Sequence, residues 1–348
     1  MKDYLIIGCG LAGISFAETA LRQNKSITVV NDLSQNSSKI AGGMYNPVVL
    51  KRFSAVWNAQ SQLEFAADFY ADMSLNIRAA FDFKLPLLRK FYSVEEQNNW
   101  FVAADKPELA PFLSTQLVSR QFDHVPADFS FGEVLGCGYL DTALLLEKYI
   151  LYLQQLNVYQ QETFRHADLD ISDDCVRYDG CDYKHIVFAE GFGMVHNPYF
   201  NALPIDGTKG ELLIIRAPQL QLDVIIKSGI FIVPIGNDLY KLGATYNWTD
   251  KTDVPTDAGK KELLEGLDEL ITCGYEIIEH RAGVRPTVKD RRPLVGTHPQ
   301  FKNVHLLNGM GTRGVMLAPS MARDLFLSIE KGHPLDLNID IKRVKTFV

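Results

Sequence analysis

A glycine-rich turn close to the amino terminus is the feature that most constrains the fold of this chain. Its glycines are Gly8, Gly10 and Gly13, in the spacing Gly-x-Gly-x-x-Gly. An apolar run at residues 4–7 precedes the turn and predicts a buried strand, whereas the residues after it have the apolar spacing of a helix. A β-branched run at 27–30 then predicts a second strand. Strand, turn, helix and strand within about 30 residues are typical of a βαβ unit.

Each glycine of this turn has a separate physical reason. Gly8 allows the tight turn, Gly10 lets a pyrophosphate approach the backbone, and Gly13 lets the helix lie close on the strand. The free amides and the positive dipole end of the helix, at Leu11 and Ala12, favour bound phosphate. The sequence therefore predicts a dinucleotide-binding site at these five positions.

The end of the second predicted strand normally supplies an acidic residue that binds the ribose hydroxyls of the dinucleotide. Here Asn31 lies at that position and Asp32 follows it. The side-chain amide of Asn31 can both donate and accept a hydrogen bond. We therefore expect the ribose to contact Asn31, with Asp32 as the substitute acid.

The composition is that of a globular protein, and a length of 348 residues suggests about two domains. A net charge of −7, from 35 Lys and Arg against 42 Asp and Glu, argues against general binding of nucleic acid, which needs clustered cations. The five cysteines form no Cys-x-x-Cys pair, so neither a metal site nor a disulfide framework is expected. Residues 4–17 are apolar but too short to span a bilayer, and Asp3 does not suit a secretory signal. We expect a cytoplasmic protein without a membrane span.

Beyond the first unit, apolar periodicity predicts further helices and a set of short strands. The helices are predicted at 59–80, 141–156, 258–272 and 315–329, and the strands at 185–189, 211–216, 225–226, 230–233, 239–245 and 304–307. Residues 81–130 are rich in aromatic residues and proline, and we interpret them as an inserted segment that faces the substrate. The predicted fold class is α/β, with a Rossmann-type domain and an interleaved domain built on an antiparallel sheet.

Three further blocks carry a resemblance to a known family. They are residues 41–47 (AGGMYNP), residues 189–193 (AEGFG), and a carboxyl-terminal region with GVRP at 283–286, DRRPLVG at 290–296 and NGMGTRGVMLAP at 308–319. Together with the amino-terminal turn, these blocks resemble the D-amino acid oxidase-like family of FAD-dependent oxidoreductases, which includes glycine oxidase and sarcosine oxidase. The resemblance covers essentially the whole chain in the same order, apart from about residues 81–135.

The resemblance implies FAD as the cofactor. Some members of the family attach FAD through a cysteine just before the last helix, and no cysteine follows Cys273 here, so we expect non-covalent FAD. The implied FAD-binding domain comprises residues 1–80, 137–200 and 284–348, and the implied substrate domain comprises 81–136 and 201–283. Besides the first turn, Asn31 and Asp32, the implied cofactor contacts are Gly42, Gly43, Met44, Phe164, Ala189, Gly191, Gly309, Gly311, Thr312, Arg313, Gly314, Val315 and Met316.

The glycine turn at 309–314 has a physical reason of its own to contact the flavin. A glycine turn that enters a helix offers free amides, and the positive end of the helix dipole stabilises negative charge nearby. Reduced flavin carries negative charge on the pyrimidine edge of its ring. We therefore expect residues 309–317 to run along that edge.

Arg285 occupies the position at which, by the same resemblance, relatives such as glycine oxidase bind the substrate carboxylate. A guanidinium binds a carboxylate through two parallel hydrogen bonds, which fix the orientation of the substrate as well as its affinity. The alternative is that Arg285 pairs with an internal acid such as Asp290. Arg281, Arg291 and Arg292 are expected at the surface or in salt bridges.

Two tyrosines complete the predicted catalytic residues. Tyr246 follows a predicted strand and Tyr45 lies in the loop expected over the flavin, so either hydroxyl can bind the carboxylate or shape the pocket. Packing roles remain open for both, since the chain has 14 tyrosines. No histidine lies in a recognisable acid–base motif. The chemistry does not require one, because a neutral amine beside oxidised flavin can transfer its Cα hydrogen as hydride to N5.

The predicted activity is therefore oxidation of the Cα–N bond of a small amino acid that is glycine-like, N-substituted or D-configured. The resulting imine hydrolyses to an oxo acid, and the electron acceptor, oxygen or another, is left open by the sequence. The predicted partner is a small substrate that bears a carboxylate.

Three alternatives remain open. A 2-hydroxy acid would offer Arg285 the same carboxylate. Residues 41–53 also resemble the oxidase half of the tRNA wobble-uridine modification enzyme, and a tRNA substrate would place phosphates near Lys51, Arg52, Lys289, Arg291 and Arg292. The third alternative is a flavin-binding protein without catalytic activity.

Overall fold

The computed structural model describes residues 1–345 and 347. Its strands, in chain order, are β1 (Lys2–Ile7), β2 (Ile27–Val30), β3 (Met44–Tyr45), β4 (Val48–Val49), β5 (Ser54–Ala55), β6 (Asp82–Lys84), β7 (Leu87–Lys90), β8 (Leu113–Val118), β9 (Phe131–Val134), β10 (Gly138–Leu140), β11 (Tyr159–Gln160), β12 (Asp170–Ile171), β13 (Val176–Tyr178), β14 (Cys181–Phe188), β15 (Ile205–Arg216), β16 (Ile225–Lys227), β17 (Phe231–Gly236), β18 (Leu239–Gly243), β19 (Glu276–Val288), β20 (Leu294–Thr297) and β21 (Val304–Asn308). Its α-helices are α1 (Leu11–Arg22), α2 (Ala59–Ile77), α3 (Val94–Ala104), α4 (Thr142–Gln155), α5 (Asp257–Asp268) and α6 (Gly314–Lys331).

The first large sheet is centred on β1, which pairs in parallel with β2 on one side and with β14 on the other. The strand β11 extends the sheet beyond β2, and β21 extends it beyond β14, both in parallel. Parallel strands are buried on both faces, which explains why residues 4–7 and 27–30 are continuous apolar runs. The glycine turn therefore lies at the carboxyl edge of a parallel sheet, where open α/β sheets bind their ligands.

The second large sheet is almost entirely antiparallel and has the strand order β19-β15-β18-β17-β16-β7-β9-β8. Its strands come from two separate parts of the chain, residues 87–134 and 205–288. This interleaving, together with the parallel sheet, confirms the predicted fold class. The domain division itself stays a prediction, and its boundary at 283/284 lies inside β19. Arg285 is thus carried by the antiparallel sheet.

The region 81–130 contains more regular structure than its sequence indicated. The helix α3 begins after Ser93, whose hydroxyl accepts a hydrogen bond from the amide of Glu96 at 3.2 Å. Trp100 on this helix is fully buried, and its indole nitrogen donates to the carbonyl of Ser114. The aromatic- and proline-rich composition therefore gave no sign of a helix that packs on β8 and β9 through large aromatic side chains.

Within the described residues, none of the helices combines the length and the apolar character needed to cross a bilayer.

Candidate functional site

A cavity of about 1400 Å³ is lined by residues of both large sheets and by the loops that join them. Every predicted catalytic or cofactor residue lines this cavity except Gly13. Gly13 instead faces the strand, where a Cβ atom would lie 2.0 Å from the carbonyl oxygen of Gly8. That contact is the close helix–strand approach expected of the third glycine.

The start of α1 has features that fit a phosphate group. Its first residue follows Gly10, which makes no side-chain cap, and the first turn contains no acidic residue. The hydroxyl of Ser38 accepts a hydrogen bond from the amide of Leu11 at 3.1 Å. A Cβ atom on Gly10 would lie 3.0 Å from the same hydroxyl, so glycine keeps this narrow space open. A helix start whose cap residue has no side chain, beside a serine hydroxyl, fits a pyrophosphate, which would take the place of Ser38 as the partner of the Leu11 amide.

The expected ribose end of the cavity contains Asn31 and Asp32, each already held by one hydrogen bond. The Asn31 amide donates to the hydroxyl of Tyr159 at 3.3 Å, and a carboxylate oxygen of Asp32 accepts from the amide of Ser34 at 2.9 Å. Phe164 packs against Tyr178, with ring centroids 4.6 Å apart. The polar pair and the aromatic wall suit a ribose and an adenine ring.

The expected flavin end is formed by two glycine turns. Gly43 has φ +74°, and a Cβ atom there would lie 1.9 Å from the carbonyl oxygen of Leu140. The second turn has Gly309 and Gly311 at φ +74° and +56° and leads into α6. The first turn of α6 has neither a side-chain cap nor an acidic residue. Its free amides at the cavity wall fit an anionic ring edge.

Arg285 projects from β19 over a glycine on the neighbouring strand. A Cβ atom on Gly210 would lie 1.9 Å from a guanidinium nitrogen of Arg285, so a side chain at position 210 would displace the guanidinium from this position. The guanidinium donates to the carbonyl of Thr245 at 3.3 Å and lies 4.7 Å from the ring centroid of Tyr246. Burial lowers its pKa, an effect that the nearby Tyr246 opposes and the charge of Arg291 reinforces.

No acidic residue within the described chain forms a salt bridge with Arg285. Asp290, the internal partner considered from the sequence, pairs with Arg343 at 3.1 Å instead. The cation therefore faces the cavity with hydrogen-bonding capacity to spare. That arrangement is what a bound carboxylate requires.

The two tyrosines differ in how free their hydroxyls are. Tyr246 is 56% exposed and stacks on Arg285, with its hydroxyl in none of the hydrogen bonds found among the described residues. Tyr45 is 6% exposed, and its hydroxyl donates to a carboxylate oxygen of Asp82 at 2.8 Å. Burial and Asp82 raise the pKa of Tyr45 far above its ordinary value. The structure thus places the ring of Tyr45 at the cavity with its hydroxyl already committed.

Three arginines contribute more to the cavity than the sequence indicated. Arg313 was expected only as a cofactor contact, yet its guanidinium is half-buried and donates to the carbonyl of Asn46 at 3.2 Å. Arg291 and Arg292 were expected at the surface or in salt bridges; Arg291 is exposed and Arg292 is half-buried, and both also line the cavity. Among Arg281, Arg291 and Arg292, and with partners limited to the part of the chain that the structure describes, only Arg281 forms a salt bridge, with Glu279. The sequence signal that could have pointed to Arg291 and Arg292 is that these two arginines are adjacent and directly follow Asp290.

A parallel sheet with a glycine turn, two helix starts and an arginine without an acidic partner among the described residues meet at one cavity. These features fit a dinucleotide-dependent oxidoreductase. A model of the family described as DAO, FAD dependent oxidoreductase, matches residues 3–326. The chain belongs to this family, and this result confirms the resemblance found from the sequence.

Individual relatives are distant. The glycine oxidase of Bacillus subtilis (strain 168) is 23% identical over 224 residues, which cover 58% of this chain and 60% of the relative. The tRNA 5-methylaminomethyl-2-thiouridine biosynthesis bifunctional protein of Aromatoleum aromaticum is 27% identical over 44% of this chain and 28% of the relative. The match to these curated relatives thus spans less than two thirds of their length.

The fold is shared more widely than the sequence. The crystal structure of glycine oxidase from Bacillus cereus ATCC 14579 superimposes with a TM-score of 0.80 at 18% identity, covering 97% of this chain and 99% of that chain. At this level of identity the superposition establishes the Rossmann-type fold with its antiparallel companion sheet.

Proposed function

We propose that this FAD-dependent oxidoreductase, which is of the amino acid oxidase type, oxidises the Cα–N bond of a small amino acid that is glycine-like, N-substituted or D-configured. The observation that carries the proposal is Arg285, a half-buried guanidinium without an acidic partner that faces the same cavity as the glycine turns. Burial of a charged group without an ionic partner is unfavourable, and binding of an anionic ligand would compensate for it.

The cavity residues fit FAD bound non-covalently. Gly10, Leu11 and Ala12 would hold the pyrophosphate, and Asn31 and Asp32 would hold the ribose. Gly43, Met44 and the residues 309–316 would border the ring. When bound, FAD supplies the N5 atom that accepts a hydride from the substrate.

The side chains of this protein would then orient the substrate. Two parallel hydrogen bonds from Arg285 would hold the carboxylate, and the Tyr246 hydroxyl would add a third. This arrangement would orient the Cα hydrogen toward the flavin, and correct positioning of reactants is worth up to about 7–11 kcal/mol of the barrier. The amine must be neutral to lose hydride, and the imine product takes up water to give an oxo acid and ammonia or an amine.

The cytoplasm is the compartment that we propose for this protein. All five cysteines are unpaired, and two of them, Cys9 and Cys137, are buried. Burial raises the pKa of Cys9 to about 12. Free thiols are typical of reducing compartments.

A second candidate function is oxidation of a glycine-like group on tRNA. The observation in its favour is that Lys51, Arg52, Arg291 and Arg292 line the same cavity as Arg285. The net charge of −7 weighs against it. We therefore keep small amino acids as the first proposal.

Anaerobic addition of substrate to the flavin-loaded protein tests the first proposal directly. We expect glycine, sarcosine or D-alanine to bleach the flavin absorbance near 450 nm, on the order of one equivalent per site, since the cofactor carries the redox step. Glycolate and D-lactate are the matched probes, because they offer Arg285 the same carboxylate without an amine. Bleaching by the hydroxy acids alone would replace the proposal with a 2-hydroxy-acid oxidoreductase.

A further inference from the structure

Two arginines at the cavity exceed what a glycine-like substrate needs. Arg285 already offers a complete fork to one carboxylate. Arg291 and Arg292 follow it on the connection from β19 to β20 and line the same cavity. Neither side chain forms a salt bridge with any acidic residue that the structure describes. Their nearest acid in sequence, Asp290, is engaged by Arg343.

Both surplus arginines are positioned by tryptophans. The guanidinium of Arg291 lies 5.0 Å from the ring centroid of Trp248, and that of Arg292 lies 5.2 Å from the ring centroid of Trp57. A guanidinium stacked on an indole has one face covered and its N–H edge free. The N–H edge is the part that binds carboxylate or phosphate.

The loop that carries Trp248 is itself held in place. The fully buried Lys209 donates to a carboxylate oxygen of Asp250 at 2.5 Å. Lys251 donates to Asp206, also at 2.5 Å. Both anchors come directly after Trp248 in the chain and fix the loop that carries it, although 40% of the Trp248 surface is exposed. Trp248 is therefore held against Arg291, which itself lines the cavity.

The positive charges lie close enough to affect one another. Besides burial, the charge of Arg291 lowers the pKa of both Arg285 and Arg313. Like charges gathered in a partly buried cavity destabilise the protein unless anions compensate them. A carboxylate on Arg285 would leave Arg291 and Arg292 still without an acidic partner among the described side chains, so both can bind a further anionic group.

We propose that Arg291 and Arg292, backed by Trp248 and Trp57, form a second anion subsite, and that the natural substrate bears a second anionic group beyond the carboxylate held by Arg285. This inference rests on the proposed function. It narrows the substrate from glycine-like amino acids to N-substituted amino acids with a distal carboxylate, phosphonate or phosphate. The distal group belongs to a small molecule or to a nucleic acid, and the test separates the two sources.

Binding of unreactive acids tests the subsite without turnover. Acetate and glutarate differ in the second carboxylate, and neither has an amine to oxidise. We expect calorimetry on the flavin-loaded protein to show that glutarate binds about tenfold or more tightly than acetate, as one additional charged hydrogen-bonding pair implies. The double variant Arg291→Gln, Arg292→Gln should lose this preference. Arg216→Gln, an exposed arginine at the end of β15 and away from the cavity, is the matched control and should retain it.

Turnover identifies the source of the second charge. We expect iminodiacetate or N-phosphonomethylglycine to have a lower KM than sarcosine. In the double variant the KM values for the two kinds of substrate should become similar. Displacement of glutarate by bulk tRNA at about 0.15 M salt, lost in the double variant, would support the subsite and assign its anion to a nucleic acid.

Two results would overturn the inference. One is equal binding of glutarate and acetate by the unaltered protein, a measurement that does not depend on the folding of any variant. The other is a preference that survives in the double variant. Failure of the proposed function looks different, because no amino acid of either kind would then bleach the flavin while the calorimetric preference persisted.

Discussion

Arg285 shows how one residue is prepared by its neighbours. The side chain fits because Gly210 on the adjacent strand has no Cβ, and the carbonyl of Thr245 accepts one of its five N–H groups. The face toward Tyr246 is covered, so the rest of the fork remains for a ligand. The position of an arginine in a sequence carries none of this information. Whether the arginine can bind a substrate depends on the lack of an acidic partner and of a neighbouring Cβ atom in the folded protein.

We predict that Arg285→Ala raises the KM for the amino acid substrate roughly 10- to 100-fold, because charged hydrogen bonds contribute about 1.5–3 kcal/mol. Flavin content should be unchanged, since the cofactor contacts lie elsewhere. Arg285→Lys retains the charge but not the fork and should give an intermediate KM. Steady-state kinetics with a visible spectrum of each variant provides the measurement. An unaltered KM in the alanine variant would remove Arg285 from the substrate site.

At the scale of elements, the first helix and the strand before it form one unit. Gly8 has φ +99°, which glycine adopts readily, and its carbonyl oxygen lies directly under Gly13. The residues Ile14 and Ala17 then bury the inner face of α1. The helix start and its free amides are held at the sheet edge by this contact.

We predict that Gly13→Ala lowers the melting temperature and weakens flavin binding. Alanine is a better helix former by about 0.5–1 kcal/mol. Its Cβ, however, would lie 2.0 Å from a backbone oxygen that cannot rotate away, and such overpacking costs about 1–3 kcal/mol. Gly274→Ala is the control, because nothing lies within 4 Å of its Cβ position. Equal thermal stability of the two variants would show that the close helix–strand contact is not needed.

At the scale of the whole molecule, the cavity joins the two large sheets. The glycine turn follows β1 and the start of α6 follows β21, and both strands are in the parallel sheet. Gly210 and Arg285 lie on strands of the antiparallel sheet. A ligand that fills this space contacts both parts at once. Its binding free energy therefore contributes to the stability of the entire chain.

We predict that removal of FAD lowers the melting temperature of the protein and that added FAD restores it. Free FAD at 100 times its Kd adds about 2.7 kcal/mol to the free energy of unfolding. Riboflavin lacks the pyrophosphate and adenosine, so it should restore less. Differential scanning calorimetry of the apoprotein with each compound measures the effect. A melting temperature indifferent to FAD would contradict the assignment of the cavity.

The local elements could be read from the sequence because their causes are local. The strand at 27–30 and the helix at 59–77 follow from apolar spacing, and Asp141 caps the helix that begins at Thr142 as its sequence position suggests. The glycine turn has a spacing that backbone geometry alone explains. The sequence did not indicate the helix α3 within 81–130, because this helix is stabilised by the packing of Trp100 against Phe53 and Phe91, which apolar periodicity does not record.

The sequence by itself determined the βαβ start, the α/β class and the family, and it singled out Arg285 as the candidate ligand of the substrate carboxylate. Only the tertiary structure decided which cations are free. It joined Asp290 to Arg343, bonded the hydroxyl of Tyr45 to Asp82, and brought Arg291 and Arg292 to the cavity. The physical reason is that strand and turn preferences depend on neighbouring residues, whereas the pairing of charges depends on groups that meet only after the chain has folded.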